Sequence, residues 1–74
     1  MKKAAFVEVV GGALVAVETI GTIEVSETER DGFAVLVSTT LGHTYCYALR
    51  DDEDAAHRVA RRLAGIIGPV IADK

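Results

Sequence analysis

The hydrophobic pattern of this chain changes period near residue 50. Before that point apolar and polar side chains mostly alternate; from Asp51 onward apolar residues recur every three or four positions. A strand turns successive side chains to opposite faces, whereas a helix gathers every third or fourth side chain into a stripe. The pattern therefore predicts a small sheet followed by one covering helix.

Residues 4–10 read as a first strand, Gly11-Gly12 as a two-residue hairpin turn, and 13–18 as a second strand. Residues 19–27, rich in Ile, Val and Thr, read as a third strand bent or bulged at Gly21. Residues 13–27 also fit a single long bent strand, and the pattern alone leaves both open. Asp31-Gly32 is the strongest hairpin signal in the chain. After it, Phe33, Val35 and Val37 share one face of a fourth strand, and Ala34, Leu36 and Ser38 share the other. Leu41-Gly42 marks another turn, and residues 43–49 form the fifth strand. Short consecutive strands with tight turns make an antiparallel meander.

Residues 51–67 carry the helix. Asp51 or Asp52 can accept hydrogen bonds from the first free amides, and Asp51 with Asp54 approximates a capping box. Acids at 52–54 complement the positive end of the helix dipole, and Arg61 and Arg62 lie toward the negative end. Ala56, Val59, Ala60, Leu63 and Ile67 form the buried stripe, with Ala64 and Ile66 beside it. Gly68 and Pro69 stop the helix. Val70, Ile71 and Ala72 are apolar enough to pack on the domain edge or add a short strand. The fold class expected is α+β: a four- to five-stranded antiparallel β-meander, sheet 4–49, helix 51–67 and tail 68–74, in a single domain 1–74.

Composition changes this picture in one respect. The chain has 74 residues, half of them hydrophobic, yet only two Phe, two Tyr and no Trp. A domain this small buries only about 60% of the surface of its unfolded chain. Cys46 is the only cysteine, so neither an internal disulfide nor a thiolate zinc cluster can form. Small domains without such staples gain stability by burying surface against a partner. One helix covers only one face of a sheet, which leaves Ala34 and Leu36 as a candidate oligomer surface. The expected partner is a second copy of the chain or another protein.

The formal net charge is −3, so general attraction to nucleic acid or anionic membrane is not expected. Acids crowd 18–31 and 51–54, and bases crowd 58–62. No apolar run reaches transmembrane length, and Glu8 interrupts the apolar stretch after Lys2-Lys3 too early for a secretory signal. With its lone thiol, the chain reads as cytoplasmic.

Candidate chemistry is sparse. His43 and Cys46 lie three apart on a strand and so on opposite faces, which rules out a dyad within that strand; Cys46 reads as a small buried apolar residue. Acids 51–54 are explained by capping, and point in too many directions for a cation site. No catalytic, metal or cofactor-binding residue is assigned, and the chain reads as non-enzymatic. Arg58, Arg61 and Arg62 form a cationic patch on the exposed helix side. Its plain reading is a solvated face with ion pairs along the rows Asp54–Arg58–Arg62 and Glu53–His57–Arg61. Its sharper reading is a partner-binding site, with Tyr45 and Tyr47 as stacking rings if the partner is a nucleic acid or another phosphate-bearing molecule.

Ile20-x-x-Ile23-Glu24, the Val35-Leu36-Val37 strand, Gly42-x-x-Tyr45 and the closing helix resemble small bacterial and phage sheet-plus-helix proteins, among them the flagellar swarming-motility proteins of the FlbD type. The resemblance spans about two-thirds of the chain. It implies a non-enzymatic accessory role and supplies no catalytic residues.

Overall fold

The computed structural model describes residues 5–30, 32–67 and 70–71. Six strands and one α-helix follow in the order β1 (Phe6–Glu8), β2 (Leu14–Ala16), β3 (Ile20–Glu27), β4 (Phe33–Thr39), β5 (Thr44–Arg50), α1 (Glu53–Ile67) and β6 (Val70–Ile71). The class is α+β, with antiparallel strands and one helix packed on the sheet. The strands do not form one meander, however. β1 and β2 pair only with each other, and the main sheet has the order β5-β4-β3-β6. Within it β3, β4 and β5 are antiparallel neighbours, and β6 adds a two-residue parallel edge beside Thr22 and Ile23.

The break between the two sheets has a local cause. Residues Val17–Thr19 form a 3-10 turn, fixed by the Thr19 hydroxyl donating to the Ala16 carbonyl at 2.7 Å. The choice left open over residues 13–27 is thus resolved as two strands. The hairpin joining β1 to β2 is also longer than a two-residue turn. The Gly12 amide donates to the Val9 carbonyl, and the Val9 amide to the Ala13 carbonyl, both at 2.9 Å. Gly11 and Gly12 sit at φ of 100° and 93°, where a Cβ would be strained.

Two register shifts decide which side chains reach the core. Ile20 pairs with Thr39 and Thr22 with Ser38, so Gly21 is an extra residue on β3. Ile20 and Ile23, three apart, are consequently both buried on the same side. On β5, Ala48 pairs with Val35 and Cys46 with Leu36, which leaves Tyr47 as the extra residue. Tyr45 and Ala48 therefore share the helix-facing side.

That side holds the core. Ile23, Val35, Val37, Ala56, Ala60 and Leu63 are all at most 1% exposed and belong to one cluster. Val9 and Val15 from the hairpin, Ile20 and Ala48 also belong to it, with Val59 and Ala64 packed against it. The helix begins one residue later than a box of Asp51 with Asp54 requires. Asp52 is the cap, its Oδ1 accepting the Ala55 amide at 2.8 Å. Ile66, expected beside the buried stripe, is 68% exposed. The expected stop at Gly68-Pro69, the Asp31 half of the Asp31-Gly32 turn and the tail 72–74 lie outside the described residues.

Two stability outcomes follow from this packing. Leu63→Ala should lower unfolding free energy by about 2–5 kcal/mol, because Leu63 is the largest buried side chain of the helix stripe. Asp52→Ala should cost about 1 kcal/mol through loss of the cap. Urea unfolding followed by circular dichroism measures both, and equal effects from the two would contradict this ranking.

Candidate functional site

The register places the residues facing away from α1. Glu24, Leu36 and Cys46 form one row across β3, β4 and β5; Ser26, Ala34 and Leu49 form the next; Thr22, Ser38 and Thr44 form a third. The Ser38 and Thr44 hydroxyls lie 3.1 Å apart and share a hydrogen bond. This outer face is mixed: apolar in the middle, hydroxyl-rich at one end, and with Glu24 as the one charged residue of these three rows. Ala34 is buried, its methyl standing between its register partners Ser26 and Leu49. The accessible apolar surface is therefore carried by half-buried Leu36 and Cys46 and by exposed Leu49. Further exposed apolar side chains, Phe6, Val10 and Leu14, lie on the β1–β2 hairpin.

Cys46 is half-buried, with its thiol 3.5 Å from the Ala48 carbonyl. His43 is exposed, and its ring centre lies 6.4 Å from that of Tyr45. Tyr45 faces the helix side whereas Cys46 faces the outer side, so the His43 and Cys46 side chains do not converge. Among the described residues no three of His, Cys, Asp and Glu converge as metal ligands, and no helix is long and apolar enough to cross a membrane.

Arg58, Arg61 and Arg62 are all exposed on α1. Of the two expected ion-pair rows, the described residues show a single contact, His57 Nε2 to Glu53 Oε2 at 3.5 Å. The three guanidinium groups thus stand in solvent with no carboxylate within 4.0 Å among the described residues. Tyr45 and Tyr47 are half-buried and packed against the core cluster. The fold does not gather these rings and the arginines into one surface, because the arginines point outward from the helix whose inner face covers the sheet.

One concavity was not foreseen. Thr28, Arg30, Gly32, Phe33, Leu49, Arg50 and Asp51 line an open groove of about 300 Å³ at the end of the β3–β4 hairpin. Its sides are held by Thr28, whose Oγ1 accepts the amides of Arg30 at 3.3 Å and Gly32 at 3.1 Å. The Arg50 guanidinium donates to the Leu49 carbonyl at 2.7 Å. The signal that could have found it is the pairing of Phe33 with Arg50, which brings residues far apart in sequence to one strand end. Two guanidiniums beside an apolar floor can hold a small carboxylate, but Asp51 on the same rim opposes an anion.

No family model, no curated protein and no solved structure matches the chain. The functional reading therefore rests on the surfaces just described.

The solvated arginines should contribute little to folding. Arg58→Ala, Arg61→Ala and Arg62→Ala should each change stability by less than about 0.5 kcal/mol. Urea titration tests this, and a loss above about 2 kcal/mol would reveal a structural ion pair at that position.

Proposed function

We propose that the protein is a small non-catalytic interaction module that acts by protein–protein contact, first of all with further copies of itself. The observation that carries the reading is the outer face of β3–β4–β5. Leu36, Cys46 and Leu49 present apolar surface there, while α1 and the hairpin valines pack on the opposite side. A sheet with both faces apolar in its central strand is the pattern of a sheet covered twice. Among the described residues no helix packs on this outer face, and a further copy of the chain can supply that cover. The accessory role implied by the FlbD-type resemblance, and a cytoplasmic location suggested by the single thiol, belong to the same reading.

Sedimentation equilibrium of the full chain, up to about 500 µM because a face this small binds weakly, is the direct test. The wild type should show a weight-average mass above that of one subunit, rising with concentration. Leu36→Lys should return it to one subunit without changing the circular dichroism spectrum, since a charge would then be forced into the contact. A wild type that stays a single subunit throughout would contradict the proposal.

A further inference from the structure

The outer sheet face offers one half of a contact, and the outer face of α1 has the properties of the other half. Resting on the reading of that sheet face as a self-contact, we propose that the Arg58–Arg61–Arg62 side of α1 in one copy docks on the Glu24–Leu36–Leu49 face of the next copy, so that the subunits associate head to tail.

Three observations select this occupant. The first is charge. The exposed helix side carries three arginines with no carboxylate within 4.0 Å among the described residues, and the outer sheet face carries Glu24, likewise with no cation within that distance. Pairing two sheet faces about a two-fold axis would leave the helix arginines of both copies unopposed, and among the described residues the guanidiniums beside this face, Arg30 and Arg50, lie at its Leu49 end rather than at Glu24. Pairing two helix faces would put six arginines into one contact, with Asp54 of each copy, one turn before Arg58, as the acid on that side. Helix on sheet sets the arginine-rich side against the Glu24 carboxylate, whereas like charges placed across an interface cost several kcal/mol. The second is apolar surface. Ile66 follows Arg62 by four residues on the same side of the helix and is 68% exposed, an apolar counterpart for Leu36 and Leu49. The third is architecture. The subunit already covers one sheet face with a helix, and a second helix on the other face repeats that packing as a layered sandwich.

The geometry sets the symmetry. The two surfaces lie on opposite sides of the same subunit, with the sheet between them, so one pair of subunits cannot satisfy both contacts reciprocally. Such an interface is heterologous and yields rings or open chains rather than a closed dimer.

Complementation tests this directly. A helix variant, Arg58→Gln with Arg61→Gln and Arg62→Gln, keeps an intact sheet face and adds no charge that the substituted sheet face could pair with. A face variant, Glu24→Lys with Leu36→Lys, keeps an intact helix. By sedimentation the wild type should grow past two subunits with concentration, and each variant alone should stay a single subunit. An equimolar mixture of the variants should form a pair and stop, because each partner has lost its other surface. Raising salt from 50 to 300 mM should weaken wild-type association by at least about threefold, as screening acts on exposed charge pairs. Thermal melts check that each variant is folded; if the glutamine set lowers the melting temperature, the corresponding Arg→Ala set replaces it, with the same expectation.

Several results would overturn the inference. A wild type that stops at two subunits, lost on Leu36→Lys but unaffected by the arginine variant, would leave the self-contact standing and assign it to two sheet faces. A mixture that remains unassociated would exclude helix on sheet. A single-subunit wild type would remove both readings. If, in addition, single-stranded RNA or DNA bound with a steep salt dependence that the arginine variant abolished, the stripe would belong to nucleic acid instead.

Discussion

The structure depends on close contact between the small-residue stripe of α1 and the buried faces of β3 and β4. Ala56 and Ala60 are fully buried, and their small side chains let the helix backbone lie near the sheet. Leu63 then reaches the same cluster as Ile23, Val35 and Val37. Each fully buried aliphatic side chain contributes about 1.5–3 kcal/mol, so these four are a large share of what holds so short a chain together. No polar side chain is buried among the described residues, so this contact carries no desolvation cost beyond its backbone. The Asp52 cap and the register shift at Gly21 both serve it: one fixes where the helix starts, the other turns Ile20 into the same layer.

The same contact explains why the surfaces are divided as they are. Once α1 occupies one side of the sheet, its arginines must face solvent and the even-numbered side chains of β4 must face away from the helix. The β1–β2 hairpin does not extend the main sheet. It contributes Val9 and Val15 to the core, and the Val10 amide donates to the Cys46 carbonyl at 2.8 Å, which covers one point on the free edge of β5. Two unlike faces, one cationic and one apolar with a carboxylate, are left on opposite sides of a single layer pair.

How much of this could be read from the chain alone follows from which rules are local. The period change near residue 50 located α1, because an amphipathic stripe and an aspartate cap are encoded within a few residues of each other. Glycines with positive φ marked the turns at Gly11-Gly12 and Gly42. Gly21 marked the bulge in β3, but nothing comparable marks Tyr47, so the shift that aligns Tyr45 with Ala48 was illegible. The detachment of β1 and β2 was also illegible. It depends on a 3-10 turn at Val17–Thr19, whose sequence is equally good for a strand. On the surface, the exposure of the arginines was legible, since they occupy the polar side of the helix. Their lack of the expected intrahelical partners was not, because the choice between an ion pair and a solvated rotamer is worth only a few tenths of a kcal/mol. Ala34 and Leu36 were both expected to be available. Only the pairing of Ala34 with Leu49 shows that the smaller of the two is already covered.

If the helix–sheet contact governs the fold, α1 and the strands beneath it must open together. Native-state hydrogen exchange measures this residue by residue. The account predicts that amides of residues 56–63 and of β3 and β4 share the highest protection and one common opening free energy, with β1 and β2 exchanging at lower cost. Helix amides that exchange far faster than those of β3 and β4 would contradict it.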